Sequence, residues 1–195
     1  MPKVAILATI YQQFPTIAMS LHQQTHQDWM LYLIHDGPTT YPIPEYIKAL
    51  RDPRIHFYET ETRRQKYGHP IRRQFLEDLK DNKVADDIEY VVITNADNYY
   101  APPFLTALLS AFTKQTIGTY CQWMVHNYFG YQPVEVKLQR AGVDIGGCMI
   151  RRQAACDVGW VSDDHSSDWI FLEELIRRFG ANRFRKSQGC LFTHN

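Results

Sequence analysis

Several features that mark common protein classes are absent from this sequence of 195 residues. No apolar run approaches the roughly 18 residues that a membrane-spanning helix needs. The apolar run at residues 4–10 is too short for a secretory signal, and no small-residue cleavage site follows it. We therefore expect a cytoplasmic protein without a transmembrane segment.

Cysteine pairs and an excess of charge are also lacking. None of the four cysteines forms a Cys-x-x-Cys pair, which argues against a zinc knuckle and indicates buried free thiols in a reducing compartment. The 21 Lys and Arg residues balance 21 Asp and Glu residues, so no general attraction to nucleic acid is expected. A local basic cluster remains, consisting of Arg63, Arg64, Lys66, Arg72 and Arg73.

The two common glycine-rich phosphate-binding motifs, GxGxxG and GxxxxGK[ST], are missing as well. A dinucleotide-binding fingerprint and a P-loop therefore do not explain the polar clusters described below.

Short apolar segments alternate with amphipathic segments through the first 115 residues. Segments 4–10, 30–34, 54–58 and 90–94 have the length and composition of buried strands. Helical spacing begins at Phe14-Pro15-Thr16, at residue 43, at Pro70 and at Pro102-Pro103. This alternation predicts right-handed βαβ units and a parallel sheet with helices on both faces.

The pattern changes after residue 115. It predicts strands at 117–125, 146–150 and 190–193 and a helix at 166–179. There is no internal repeat and no obvious linker. We expect one α/β domain over residues 1–195, with a mainly parallel sheet flanked by helices.

Polar residues directly follow three of the predicted strands. They are Thr9-Ile10-Tyr11, Asp36-Gly37 and Asn95-Ala96-Asp97-Asn98. In open parallel sheets, ligands bind beyond the carboxyl ends of the strands, so these clusters mark a candidate site.

The cluster at residues 95–98 carries the clearest chemistry. Asp97 offers a carboxylate, and Asn95 and Asn98 offer amide oxygens, which are ligands that Mg²⁺ and Mn²⁺ accept. Such a cation neutralises the charge that grows on a departing diphosphate. The alternative is a polar turn that caps the helix starting at Pro102.

Six short motifs, in order along nearly the whole chain, resemble those of family 2 glycosyltransferases, which have the GT-A fold. They are the strand 3–11 with its Thr9-x-Tyr11 ending, Gln23-Gln24-Thr25 with Asp28-Trp29, Asp36-Gly37-Pro38, residues 95–98, residues 146–152 with Val158-Gly159-Trp160, and residues 167–172. The resemblance implies that residues 1–115 form the nucleotide-binding half and residues 116–195 the acceptor and catalytic half.

The sequence departs from the family pattern at three positions. His35 stands where the first Asp of the Asp-Asp-Gly-Ser turn is usual. Asn95 and Asn98 replace the first and last acidic residues of the Asp-x-Asp-Asp motif, while Asp97 is kept. Because amide oxygens carry no charge, these replacements should weaken metal binding.

The resemblance implies a metal-assisted transfer with inversion, from a nucleotide-sugar donor to an acceptor hydroxyl on a saccharide or another molecule. Asp168 is placed like the family's catalytic acidic residue and is our candidate for the general base. Helix capping by Ser166, Ser167 and Asp168 is the alternative. Asp163 and Asp164 are the other candidate carboxylates.

The same resemblance assigns donor-binding residues. Asp36 would accept a hydrogen bond from a pyrimidine base, which favours a UDP-linked sugar, and Thr9 and Tyr11 would pack against base and ribose. Arg72 or Arg73 would reach the base or diphosphate, although an exposed helix charge is the simpler interpretation. Asp97 would hold Mn²⁺ or Mg²⁺ with Asn95 beside it. A late histidine, His194, is either a further metal ligand or structural.

Two other functions stay open at this point. A nucleotidyltransferase has a similar sheet, but residues 9–13 lack the glycine-rich loop of that class. A non-catalytic domain that binds nucleotide sugars is favoured by Asn95 and Asn98. Hydrolysis of the donor in the presence of Mn²⁺ separates an enzyme from a binding domain.

Overall fold

A computed structural model describes residues 3–11, 15–85, 87–127 and 130–194. Phe14, predicted in the first turn of a helix, and Gln12 and Gln13, used in the argument against a nucleotidyltransferase, lie outside these residues.

Nine strands and six α-helices make up the described chain. They are β1 (Lys3–Ile10), α1 (Thr16–His22), β2 (Trp29–His35), α2 (Ile43–Leu50), β3 (Ile55–Glu59), α3 (His69–Lys80), β4 (Ile88–Asn95), β5 (Tyr99–Tyr100), α4 (Phe104–Ser110), β6 (Gly118–Asn127), β7 (Gly130–Val134), β8 (Cys148–Arg151), α5 (Arg152–Val158), α6 (Ser167–Phe179) and β9 (Phe184–His194).

All nine strands belong to one sheet with the order β3-β2-β1-β4-β8-β6-β9-β5, and β7 extends it by pairing with β6. The first four strands in sequence order are parallel, as predicted. In the second half, β6 and β9 are parallel, whereas β8, β7 and β5 pair antiparallel with their neighbours. The sheet is therefore mixed, and its parallel part carries the strand ends singled out by the sequence.

Helices cover both faces of the sheet, which confirms the predicted α/β layering. Strand β1 shows why, because Val4, Ile6 and Ala8 face one core together with α1, α2 and α4. Ala5 and Leu7 face a second core together with α3, α5 and α6. Alternate side chains of a strand point to opposite faces, so a strand apolar at every position needs cover on both sides.

Three details differ from the sequence prediction. The segment predicted as a strand from residue 146 begins with a 3-10 turn at Ile145–Gly147, and the strand starts only at Cys148. Strand β9 is eleven residues long, not four. Cys121, Cys148 and Cys156 are buried as free thiols, but Cys190 is exposed, so the prediction of burial is wrong for that residue.

The topology leaves the carboxyl ends of β1, β2 and β4 at one edge of the sheet. In the described part of the chain, no helix has the length and apolar content that crossing a membrane requires.

Candidate active site

The polar residues that follow β1, β2 and β4 meet at the edge of the sheet. Thr9 is in register with Asn95 across the β1–β4 pair, and Ile10 is in register with His35 across β1–β2. Thr9, Tyr11, Asp36 and Asn95 consequently line one cavity of about 540 Å³. Four of the six predicted donor-binding residues therefore share a single cleft.

The loop between β3 and α3 forms the opposite wall of this cavity. Its lining residues are Arg63, Gln65, Lys66, Tyr67 and Gly68. The sequence analysis did not assign these residues to the site. The basic cluster, which includes Arg63 and Lys66, was the feature that could have indicated them. With two cations in the wall, the cavity is suited to a negatively charged ligand.

The backbone of this loop is left-handed at consecutive residues. The φ angles are 60° at Gln65, 52° at Lys66, 56° at Tyr67 and 79° at Gly68. A Cβ atom at Gly68 would lie 2.8 Å from Oγ1 of Thr9, so glycine is required for the loop to pack against β1. Non-glycine residues in this region cost free energy and occur where surrounding contacts impose them.

Asp36 provides such a contact. Its Oδ1 accepts a hydrogen bond from the backbone N–H of Arg64 at 2.6 Å, and its Oδ2 accepts one from Gln65 at 2.8 Å. The residue is only 4 % exposed. In this structure, the carboxylate holds the loop in place at the edge of the cavity.

The ring of Tyr11 packs against the guanidinium of a residue from the same loop. The guanidinium carbon of Arg63 lies 3.4 Å from the centroid of the Tyr11 ring. A cation held over an aromatic face is stabilised by the ring quadrupole, which keeps Arg63 over the cavity.

Arg72 lies on α3 below the cavity and is 2 % exposed, so its interpretation as an exposed helix charge is wrong. One terminal nitrogen donates to Oδ1 of Asp168 at 2.6 Å, and the other donates to Oδ1 of Asn95 at 2.7 Å. The planar fork of the guanidinium can bridge two acceptors in this way. Arg72 thereby joins the cavity to the second half of the chain.

Asp168 is the second residue of α6, and its carboxylate accepts the bond from Arg72 while its side chain stays 37 % exposed. At the described start of α6, no side-chain hydrogen bond from Ser166 caps the helix. Burial raises the pKa of Asp168, the Arg72 charge opposes this shift, and the Asp144 charge adds to it. A carboxyl with a raised pKa is a stronger base once it is ionised.

The two alternative carboxylates are more exposed and lie in other contacts. Asp163 forms an ion pair with Arg73 at 2.5 Å. Asp164 accepts a hydrogen bond from the Ser162 hydroxyl. Arg73 also donates to the Trp160 carbonyl, so it ties the segment before α6 to α3, and it is not among the residues that line the cavity.

Asp97 lies between β4 and β5, next to the end of β9. Tyr99 pairs with Thr193 in the antiparallel β5–β9 ladder, which brings His194 beside residues 97 and 98. Burial raises the pKa of Asp97, and the His194 charge opposes that shift. His194 lies with its Nδ1 3.1 Å from Oδ2 of Asp144, and this contact raises the pKa of His194. Asp144 is a residue that the sequence reasoning missed.

Asn98 has a different environment from Asp97. It is 1 % exposed, and its amide donates to Oγ1 of Thr94 at 2.9 Å. The Tyr100 hydroxyl lies 2.7 Å from the same oxygen. These contacts place Asn98 in a buried network beneath the site.

A model of the family described as glycosyl transferase family 2 matches residues 7–180. The chain belongs to glycosyl transferase family 2. This membership agrees with the GT-A fold expected from its motifs. No curated protein sequence matches the chain.

Solved structures of the TarS protein of S. aureus have a similar fold. The structure of TarS 1–349 superposes with a TM-score of 0.72 at 16% identity, covering 99% of this chain and 60% of that one. The same fragment in complex with UDP-GlcNAc has a TM-score of 0.73 at 15% identity, covering 98% and 58%. A complex with UDP is also similar, with a TM-score of 0.72 at 15% identity and coverage of 98% and 60%. This family 2 chain thus spans less than two thirds of the TarS fragment.

The donor set for a metal in this family 2 site is small. Within the described residues, no group of three or more His, Cys, Asp and Glu side chains is arranged to hold a metal ion. Asp97 and His194 offer one carboxylate and one imidazole. A cation bound there would take most of its ligands from a diphosphate and water, as Mg²⁺ and Mn²⁺ commonly do.

Proposed function

We propose that this family 2 chain transfers a sugar, with inversion, from a uridine-diphosphate-linked donor to an acceptor hydroxyl on a saccharide or another molecule. The observation that carries the proposal is the bridge of Arg72. It connects Asn95, in the wall of the cavity that Arg63 and Lys66 also line, to Asp168, a partly exposed carboxylate 96 residues beyond Arg72 in the chain. A donor site and a base are thereby adjacent.

The cavity would hold the nucleotide part of the donor. Thr9 and Tyr11 offer a packing surface for base and ribose, and Asp36 offers the remaining lone pairs of its carboxylate to the base. Arg63 and Lys66 supply positive charge for the diphosphate. A uridine nucleotide is supported by the structures of TarS that contain UDP and UDP-GlcNAc.

Asp168 would act as the general base. Its carboxylate takes the proton of the acceptor hydroxyl as the oxygen bonds to the anomeric carbon, and the bond from that carbon to the diphosphate breaks on the opposite face. Arg72 keeps the carboxylate in one orientation by a charge-assisted hydrogen bond. In this arrangement residues 1–115 carry the donor and residues 116–195 carry the base.

Asp97 and His194 would hold Mn²⁺ or Mg²⁺ beside the cavity. When bound, the cation supplies Lewis-acid stabilisation of the leaving diphosphate. The neutral residues at positions 95 and 98 leave Asp97 as the carboxylate of the 95–98 segment, so we expect the cation to bind through the nucleotide and weakly without it.

Thermal unfolding with UDP tests this function directly. UDP together with Mn²⁺ should raise the melting temperature by mass action, and Asp97→Ala should abolish the part of the shift that depends on the metal. Glu89→Ala is a matched control, because it removes an exposed carboxylate at the opposite end of the same strand. A metal-dependent shift in Asp97→Ala equal to that of the unmodified chain would show that Asp97 is not the ligand.

A non-catalytic donor-binding domain is the second candidate, since Asn95 is engaged by Arg72 and carries no charge. Release of UDP from UDP-GlcNAc in the presence of Mn²⁺ distinguishes the two functions. Hydrolysis that stops in Asp97→Ala supports the enzyme, and binding without hydrolysis or transfer supports the binding domain.

A further inference from the structure

Tyr67 is the most exposed large hydrophobic residue in the part of the chain that the structure describes. It is 69 % exposed, although it belongs to the wall of the cavity. A ring that is so open to solvent adds little to the core of the protein. Core packing therefore does not explain why an aromatic residue lies here.

The backbone that carries this ring is strained. Tyr67 has φ 56° and ψ 24°, and Gln65 and Lys66 before it also have positive φ angles. Left-handed conformations cost free energy for residues with a Cβ atom, and they are concentrated at sites that bind ligands. The strain at Tyr67 is thus used to hold an exposed ring at the mouth of the cavity.

Two histidine rings contact the Tyr67 ring from the side. His165 meets it at an interplanar angle of 89° with ring centroids 5.4 Å apart. His69 lies at 6.0 Å with an angle of 54°. These contacts restrict the orientation of the Tyr67 ring, and its high exposure shows that they leave most of the ring accessible.

Both histidines connect Tyr67 to the candidate base. His165 lies in a turn that leads directly into α6, where the N–H of Ser167 donates to the Asp164 carbonyl at 2.9 Å, and Asp168 is the next residue. On the other side, Nδ1 of His69 lies 3.4 Å from the terminal nitrogen of Arg72 that donates to Asp168. Tyr67 is therefore placed between the cavity and the Asp168 carboxylate.

The other aromatic residue of the cavity has different neighbours. Tyr11 packs against Arg63 and lies 6.0 Å from the His35 ring at the end of β2. It is thus grouped with the strand end that carries Asp36, where the base of the nucleotide is proposed to bind. Tyr67 is grouped with the entry to α6, where the acceptor has to arrive.

We propose that Tyr67 is the surface on which the acceptor stacks, and that the acceptor is a saccharide. One face of a pyranose ring is formed by C–H groups and packs well on an aromatic ring, while its hydroxyl groups remain free for other contacts. A sugar on Tyr67 can direct one hydroxyl group to Asp168, which has to lie within hydrogen-bond reach of it. The inference rests on the proposed function and adds the acceptor class and a residue that binds it.

Two variants separate the ring from the backbone that carries it. Tyr67→Phe keeps the ring, and Tyr67→Ala removes it, while both keep the Cβ atom and hence the same backbone strain. Tyr41→Ala is the matched control, because it removes a tyrosine that is 47 % exposed and does not line the cavity. Melting temperatures check that all three variants are folded.

The first measurement is saturation-transfer NMR with the methyl β-glycosides of glucose, galactose and N-acetylglucosamine, in the presence of UDP. We expect saturation to reach the ring C–H protons of at least one glycoside with the unmodified chain, Tyr67→Phe and Tyr41→Ala. Tyr67→Ala should bind that glycoside roughly 10-fold more weakly. Glycerol, which has hydroxyl groups but no ring face, should give no signal. Absence of binding by all three glycosides, or equal affinity in Tyr67→Ala, overturns the inference.

The second measurement excludes a role of the ring in holding the donor. UDP titrations of the same variants should show a loss of affinity in Tyr67→Ala that is clearly smaller than the loss for the glycoside. Equal losses mean that the ring stacks on the nucleotide or supports the loop, and they overturn the inference. The glycoside signal should also persist when UDP-GlcNAc replaces UDP. If it disappears, the glycoside occupies the position of the donor sugar, and the acceptor assignment is wrong.

Failure of this inference differs from failure of the proposed function. If the chain binds no UDP, the proposed function fails and the inference fails with it. If the chain binds UDP and transfers a sugar in a reaction that depends on Asp168, but glycoside affinity does not depend on Tyr67, the proposed function stands and this inference alone is wrong.

Discussion

At the scale of single residues, Asp168 combines an exposed edge with a fixed orientation. Its carboxylate remains reachable from solvent, while Arg72 holds one oxygen at 2.6 Å from within the protein. A general base needs both properties. Its carboxylate has to be accessible to the acceptor hydroxyl, and it has to be held in the orientation in which it can take up the proton.

Asp168→Asn tests the assignment. The amide oxygen can keep the bond to Arg72 but cannot take up a proton at neutral pH, so we expect turnover to fall by roughly 10²-fold or more. The affinity for UDP should change little. Initial rates of sugar transfer and UDP titrations measure the two quantities, and Glu173→Gln, an exposed position on the same helix, is the control. Transfer within a few-fold of the unmodified chain would redirect attention to Asp163 or Asp164.

The sequence could place some of these residues but not their partners. Thr9, Asp36 and Asp97 follow apolar strands, so their position at the sheet edge could be predicted from topology alone. The burial of Arg72 could not, because its acceptors lie 23 and 96 residues away and desolvation is a property of the assembled fold. Asp144 was missed for the same reason, since its partner His194 lies on a strand whose pairing the sequence does not reveal.

At the scale of elements, the loop between β3 and α3 is held in an unfavourable conformation by Asp36. Gln65 has φ 60° and ψ −148°, a combination that is essentially restricted to glycine. The two hydrogen bonds from the loop to Asp36 offset this cost and keep Lys66 and Tyr67 in the cavity wall.

Two variants of this loop should act in opposite directions. Asp36→Asn removes one charged acceptor and should lower the free energy of unfolding by about 1–3 kcal/mol and weaken UDP binding, because the loop loses an anchor. Gln65→Gly relieves the strained conformation and should raise the free energy of unfolding by up to about 1 kcal/mol. Urea unfolding measures both. If Asp36→Asn has the stability and the UDP affinity of the unmodified chain, the loop keeps its conformation without the Asp36 carboxylate.

Elements with strong periodicity were predicted well, and those that depend on pairing were not. Helix α2 begins at the predicted residue, α3 begins one residue before its predicted start, and α6 begins one residue after its predicted start. Strand β9 was predicted too short because residues such as Arg185, Lys186 and Gly189 are polar or flexible. They are in a strand because β6 offers them hydrogen bonds, which is tertiary information.

At the scale of the whole molecule, the proton balance of buried His69 links pH to folding. Burial, reinforced by the charge of Arg72, lowers the pKa of His69 from 6.5 to about 4. His69 stacks on Trp160 with ring centroids 5.6 Å apart and lies 3.4 Å from Arg72, which favours a neutral ring. The unfolded chain therefore binds a proton at a higher pH than the folded chain does.

This difference predicts a loss of stability in mild acid. Because the unfolded state binds more protons between about pH 6.5 and pH 4, the free energy of unfolding should fall as the pH falls through that range, by about 3 kcal/mol for His69 when complete. His69→Gln should reduce the slope. Urea unfolding at a series of pH values measures it. An identical slope in His69→Gln would assign the acid sensitivity to other groups.

The position of β9 affects which strand edges are unpaired while the chain is being synthesised. Although β9 contains the last described residues, it is an interior strand that lies between β6 and β5. During synthesis, β6 is therefore an open edge until residues 184–194 have left the ribosome, and an open edge can pair with another chain. A chain that lacks residues 184–194 would leave this edge of β6 unpaired, and we expect such a chain to aggregate.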